Sequence, residues 1–424
     1  MMRDPARAPS GSMFSSFWGA GFESACHINR AGFRLDMVAA TEHDHRVDED
    51  YARLRSMGIT TVRESARWHL IDRPHRNCDF STCEPMLRAA ARHRLQVIWT
   101  LCHYGWPDGV DLLSASFVER FEGFCEEVAH FLREHGEDRP IFIPINEISF
   151  LAWAAGETGW FYPYLTDRGT EVKRQLVRAA IAGINAIRRV TPKARIVTSE
   201  PLIHVVADGP DTEQRDAAER YRDSQFEACD MLTGTLEPGL GGDPALVDAI
   251  GVNFYHDNQW QHPSGNKLGW HLIPRDQRWK PLHELLEEVF DRYRRPLCVT
   301  ETSHVGEGRA AWLRDVSEQV GLAIDRGVPV IGVCLYPVID RCDWDDTSHW
   351  HNNGLWDLGE EAGGGLARVL NRDYAEELLR AQRQTRQRQL AAPDHTCSRE
   401  PDMHGQRALF EQEHDDAEQK SVCR

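Results

Sequence analysis

The stretch IFIPINE, residues 141–147, is apolar until it closes on Asn146 and Glu147. PLCVTE, residues 296–301, likewise stays largely apolar until Glu301. A carboxylate at the end of a buried strand is costly unless a partner or a reaction uses it. In a parallel barrel, a polar residue at the carboxyl end of a strand points into the mouth where catalysis occurs. Working outward, six more short apolar runs share this form: FWGAGFESAC (17–26), ITTVRESARW (59–68), LQVIWTLCH (95–103), RIVTSE (195–200), AIGVNFY (249–255) and VIGVCLY (330–336).

Amphipathic stretches separate the runs, which is the βαβ pattern. Ser116 and Glu119 predict a capping box, after which Phe117, Phe121, Phe124, Val128 and Phe131 stripe one helix face up to Gly136. Pro281 predicts a first helical position ahead of Leu282, Leu285, Leu286, Val289 and Phe290. Trp312, Val316 and Val320 mark a helix ended by Gly327; Tyr51, Leu54 and Met57 mark another ended by Gly58. The fold class predicted is α/β, a single (β/α)8 (TIM) barrel over residues 14–386. An open doubly wound sheet would carry a glycine-rich phosphate loop after the first strand, and no G-x-G-x-x-G occurs there. Residues 1–13 read as a disordered N-terminal segment, and the polar residues 387–424 as a solvated C-terminal tail.

The composition narrows the partners. With 49 basic and 66 acidic residues, a formal net charge of −17, the surface repels nucleic acid and anionic lipid. No run approaches the ~18 apolar residues that a membrane span needs. The N-terminus has no apolar signal core. The 11 cysteines are scattered, with no C-x-x-C pair, and read as buried reduced thiols. A cytoplasmic protein is expected, without cofactor, whose partner is a small carbohydrate or glycoside.

Glu147 and Glu301, on the fourth and seventh strands, face each other across the mouth of such a barrel. That arrangement suits glycoside hydrolysis, in which one group protonates the leaving oxygen and the other attacks the anomeric carbon. The alternative is a pair of structural glutamates, each held by an arginine at the barrel rim.

The sequence also resembles the family-one glycoside hydrolases from about residue 17 to 358. SACHIN (24–29) resembles that family's SAYQIE, and HRVDEDYARLRSMGITTVRESARW (45–68) resembles HRYKEDIALMKELGVKAYRFSISW. CHYGWP (102–107) resembles YHWDLP, INE (145–147) LNE, GVNFY (251–255) GINYY, VTET (299–302) ITEN, and YPVIDRCDW (336–344) WSLLDNFEW. The resemblance implies a retaining β-glycosidase with Glu147 as acid/base and Glu301 as nucleophile. It implies catalytic support from Arg63, Asn146 and Tyr255, and a sugar subsite of His27, His103, Asp343 and Trp344. The sequence departs from the family at Tyr336, Asp343, Thr302 and Cys26, and lacks the serine–lysine–tyrosine set of its phospho-sugar members.

A transglycosidase would use the same residues, and a non-catalytic sugar-binding barrel would not need all of Glu147, Glu301, Arg63 and Asn146. A metal-dependent hydrolase barrel would place several histidines at strand ends, where only His103 stands. The cluster His43, Asp44, His45 reads as a helix-entry loop, with metal the lesser alternative. Loop tryptophans 106, 160, 260, 270, 279, 350 and 356 are candidates for stacking on sugar faces, about half of them serving only to pin loops.

Overall fold

A computed structural model describes residues 12–73, 77–361 and 363–391. Eight parallel strands follow one another around a ring: β1 (Trp18–Gly21), β2 (Thr61–Ser65), β3 (Gln96–Cys102), β4 (Ile141–Ile145), β5 in two pieces (Arg195–Ile196 and Glu200–Pro201), β6 (Ile250–Asn253), β7 (Leu297–Thr302) and β8 (Val330–Leu335). Strand β8 pairs back onto β1 through Trp18↔Val333. The ring closes through β5, whose first piece pairs with β4 and whose second pairs with β6, with Val197 bridging Ala249 between them.

The longer helices are α1 (His43–Ser56), α2 (Glu84–His93), α3 (Ala115–Glu134), α4 (Gly169–Val190), α5 (Thr212–Asp223), α6 (Leu282–Tyr293), α7 (Gly308–Asp325) and α8 (Arg372–Ala391). Gly58, Gly136 and Gly327 follow the ends of α1, α3 and α7 with positive φ, the conformation that lets a chain leave a helix. Helix α3 begins earlier than the Ser116–Glu119 box predicts. Ser114 is its N-cap, and the hydroxyls of Ser114 and Ser116 bond each other instead of the helix amides. Pro281 is the N-cap of α6, one residue ahead of its expected place.

The compact unit that holds the barrel ends at Gln382. Helix α8 continues to Ala391, so the first residues of the expected tail are helical; the rest lie outside the described residues, as do 1–11. Met13, expected in the disordered leader, packs against the apolar cluster that contains Phe14 and Ile98.

Alternation along the strands sorts the ring interior into layers. Phe14, Ile98, Ile141, Ile143, Val197, Ala249 and Cys298 form an apolar cluster toward the amino ends. Two to four residues farther along, Thr100, Asn146, Ser199, Asn253, Thr300 and Glu301 are buried and polar. The change from apolar to polar is where the candidate site begins.

His43, at the start of α1, is fully buried, with Nδ1 2.9 Å from Asp50 and Nε2 3.0 Å from Glu64. Tyr51 donates to Glu64, and Arg368 grips Asp50 through Nε and Nη2, each at 2.9 Å. Both nitrogens of His43 are thus engaged by protein. Burial alone would lower its pKa, but Glu64 and Asp50 outweigh burial and raise it to about 9. A raised histidine contributes stability that is complete below its unfolded value of about 6.5 and is lost as pH rises through about 9. The loss should amount to about 3 kcal/mol. Urea unfolding from pH 6 to 10 should show this decline in the wild type. His43→Leu should lower stability by about 3–5 kcal/mol at pH 6, because it leaves two buried carboxylates against one arginine, and should flatten the alkaline slope.

Candidate active site

The carboxyl ends of the strands open into a cavity of about 1000 Å³. Glu147 and Glu301 both line it, with Tyr104, His103, Tyr255, Tyr336 and Trp344 around them. Glu147 directly follows Asn146 after β4 and has a left-handed backbone, φ 45°. Such a conformation is strained for a residue with a side chain and persists only where the surroundings hold it. Here the Glu147 amide donates to the Ser199 carbonyl at 2.7 Å. The Glu200 carboxylate accepts from the next two amides, Ile148 at 2.7 Å and Ser149 at 3.0 Å. An anion at the start of the short helix Ile148–Ala152 is well placed, because four N–H groups there lack helical partners.

The Glu147 carboxylate accepts from Asn253 Nδ2 at 2.9 Å and from the Tyr104 hydroxyl. Burial pushes its pKa above the usual carboxylate range and the charge of Glu301 pushes it further, against the opposing bonds from Tyr104 and Asn253. Glu301 sits in a different setting. Its two oxygens accept from Arg63 Nη1 and from the Tyr255 hydroxyl, each at 2.7 Å.

Arg63, on β2, is 2% exposed and fully engaged. Besides Glu301 it donates to Thr100 Oγ1 at 3.0 Å, the Thr300 carbonyl at 3.3 Å and Asn146 Oδ1 at 2.6 Å, and it lies over the Tyr336 ring. The bond to Arg63 fixes which end of the Asn146 amide is oxygen, so Nδ2 donates to His103 Nε2 and to the Tyr104 hydroxyl. His103 Nε2 is therefore an acceptor, and Nδ1 carries the proton toward Ser24 and Tyr336. Burial, and then the charge of Arg63, lowers the His103 pKa well below the ordinary value, in keeping with a neutral ring. The Tyr336 ring lies over Gly21, where any Cβ would collide with it.

No protein-family model matches the chain. A curated relative, the 6-phospho-beta-glucosidase of Dickeya chrysanthemi, is 25% identical over 365 residues, 71% of this chain and 76% of its own. Among solved structures, a family 1 β-glucosidase from Thermotoga maritima superposes with a TM-score of 0.69 at 15% identity, over 89% of this chain and 98% of that one. The same enzyme in complex with glucoimidazole gives 0.70 at 15% identity, over 89% and 99%. The AHE enzyme from Alicyclobacillus herbarius gives 0.64 at 18% identity, over 80% and 88%. The chain is a glycoside hydrolase with the fold of the family 1 β-glucosidases.

In this glycoside hydrolase the sugar-subsite residues named from sequence fall in unequal places. His103 and Trp344 line the cavity. His27 is not among the lining residues. It is 2% exposed, stacked on Phe161 at 3.6 Å, and neither ring nitrogen has a hydrogen-bond partner among the described residues. Burial, then Arg34 and Arg341, lowers its pKa to about 3, in keeping with a neutral ring.

Asp343 also stays outside the lining. Its carboxylate accepts from the amides of Asp345 and Asp346 at 2.8 and 3.0 Å and faces His351 at 3.3 Å. A short aspartate bonds its own following backbone readily, and that turn draws Asp343 away from the cavity. Asn146 is 0% exposed and is engaged by Arg63, His103 and Tyr104.

Of the loop tryptophans, Trp160 and Trp260 line the cavity, joined by Trp153, whereas Trp106, Trp279 and Trp356 are buried in the core. The sequence reading missed Glu23, Tyr104, Glu200, Asn253 and Arg341. Among the described residues, no helix is long and apolar enough to cross a membrane, and no three histidines, cysteines or acids stand together as a metal site would need.

Proposed function

We propose that this hydrolase is a retaining β-glycosidase acting on a β-linked neutral sugar, in the cytoplasm, by double displacement. The observation that carries the reading is the unequal setting of the two carboxylates. Glu301 is ion-paired with Arg63, whereas Glu147 is held above the usual carboxylate range by burial. Two acids in such unequal settings divide the roles of nucleophile and proton donor.

Glu301 attacks the anomeric carbon while Glu147 gives its proton to the departing glycosidic oxygen. The bond to the aglycone breaks and a glycosyl ester on Glu301 forms. Glu147, now ionised, takes a proton from water, whose oxygen attacks the anomeric carbon and releases Glu301. Tyr255 and Arg63 keep Glu301 aimed, and Asn146 keeps Arg63 and Tyr104 in place. If a hydroxyl of a second sugar replaces the water, the same steps perform transglycosylation.

Aryl β-glycosides differing only in the sugar test this reading, with product followed by NMR from the first turnover. A β-anomer formed first supports it; an α-anomer formed first means inversion and refutes it.

Glu200 bears on the same chemistry, because its charge is among those that raise Glu147. Its own pKa is raised to about 7 by burial, against the two amide bonds that lower it. Removing that charge makes Glu147 easier to ionise. Glu200→Gln should therefore move the alkaline limb of the kcat/KM profile to lower pH and reduce the maximum about tenfold, through a loosened Glu147 backbone. An unmoved limb in a folded variant would refute the coupling.

A further inference from the structure

A buried acid and a half-buried base line the cavity near Glu301 and take no part in the double displacement. Glu23 follows β1 and Arg341 follows β8, so neighbouring strands of the ring bring them together. Their side chains are 4% and 19% exposed, with Arg341 Nε 3.3 Å from Glu23 Oε2.

Each is held in place. Glu23 Oε1 accepts from the amides of Ser24 and Ala25 at 3.0 and 2.9 Å. Arg341 Nη1 donates to the Cys342 carbonyl at 3.0 Å, and its guanidinium lies 4.8 Å from the centre of the Trp344 ring. Glu23 and Arg341 thus stand side by side on the wall of the cavity that both line. His103 stands on the other side of Glu23, its Nε2 3.9 Å from Oε1.

A rigid acceptor beside a rigid donor matches one class of ligand group. A hydroxyl both donates and accepts, so two neighbouring hydroxyls on a sugar ring satisfy Glu23 and Arg341 together. A phosphate or carboxylate only accepts. It would compete with Glu23 for Arg341 and leave two buried negative groups in contact. Arg63 is already paired with Glu301 and Arg341 with Glu23, and the lysines of the lining, Lys173 and Lys267, face Glu227 and Asp257, so a further anion meets no unpaired arginine or lysine among the described lining residues.

We propose that Glu23 and Arg341 are the specificity-determining pair of this site, reading adjacent hydroxyls of an uncharged sugar and rejecting a phosphorylated or carboxylated one. This rests on the glycosidase reading. It assigns the sugar end to residues other than His27 and Asp343, and it sets the chain apart from the relative named for a 6-phospho-sugar.

The test compares the full-length wild type, Glu23→Gln and Arg341→Lys on 4-nitrophenyl β-glucoside, β-galactoside, β-glucoside 6-phosphate and β-glucuronide. Thermal melting checks that each variant is folded. The expected wild type favours an uncharged sugar over the 6-phosphate by at least about 100-fold in kcat/KM, because a misplaced charge leaves buried groups unpaired. Glu23→Gln should narrow that ratio by at least about tenfold.

A merely structural role would lower activity on every substrate and leave the ratio unchanged, which would overturn the proposal. So would a wild type that prefers the 6-phosphate. If Glu23→Gln does not fold, Arg341→Lys decides, since it keeps the charge but loses the planar fork and should also narrow the ratio. Binding of glucoimidazole by calorimetry separates the two levels of inference. A wild type that neither binds it nor turns over any glycoside refutes the glycosidase reading itself. A wild type that does both, with variants unchanged in ratio and affinity, refutes only the role of the pair.

Discussion

Glu301→Gly is expected to bind an aryl β-glycoside and leave it almost intact, with kcat lower by on the order of 10⁵. The glycine removes the group that would form the covalent bond and opens a space of carboxylate size beside the anomeric carbon. Arg63 and Tyr255, which each hold an oxygen of Glu301 at 2.7 Å, are left facing that space. Arg63 makes the space attractive to a small anion. Azide should therefore restore turnover with an activated leaving group, attacking from the side that Glu301 occupied and giving the α-glycosyl azide. Glu147 would still protonate the leaving group, so rescue should persist while Glu147 is protonated. Product stereochemistry by NMR decides the assignment; a β-azide would place the nucleophile elsewhere.

The ring was legible because each strand carries a short apolar run and each connection an amphipathic one. RIVTSE pairs in two short pieces, the first with β4 and the second with β6, joined by the bridge from Val197 to Ala249. IFIPINE and PLCVTE pointed to Glu147 and Glu301, which the structure brings to one cavity. Applied evenly, the same sign marks one more acid, since RIVTSE ends on Glu200, while Glu23 lies inside the run FWGAGFESAC. Both prove to be buried and next to the site. What strand periodicity does not carry is the conformation of the loops. His27 and Asp343 occupy positions where the motif resemblance implies sugar ligands; in the structure the first stacks on Phe161 and the second bonds the amides of its own turn. Arg341, two residues before Asp343, lines the cavity instead. Nor does sequence show that Tyr104, at φ 68° beside His103, brings its hydroxyl to Glu147.

Glu147→Ala should separate the two halves of the reaction. With a poor leaving group the first step needs a proton, and kcat/KM should fall by about 10²–10⁴. With 2,4-dinitrophenolate as leaving group that step needs little help, so the glycosyl-enzyme should form and then wait, because no base activates the water. Azide needs no base and should shorten the wait, giving the β-azide from the face Glu147 had occupied. Acidity makes a second, independent mark. Burial and the charge of Glu301 raise the Glu147 pKa, so in the wild type the proton-donating form persists to higher pH than an ordinary glutamate allows. The rate should therefore decline only as pH rises through that raised value. In Glu147→Ala that alkaline limb should vanish, leaving a flatter kcat/KM profile on the activated substrate. A limb that survives the substitution would belong to another group, and Tyr104, bonded to Glu147 and to Asn146, would be the first to replace with phenylalanine.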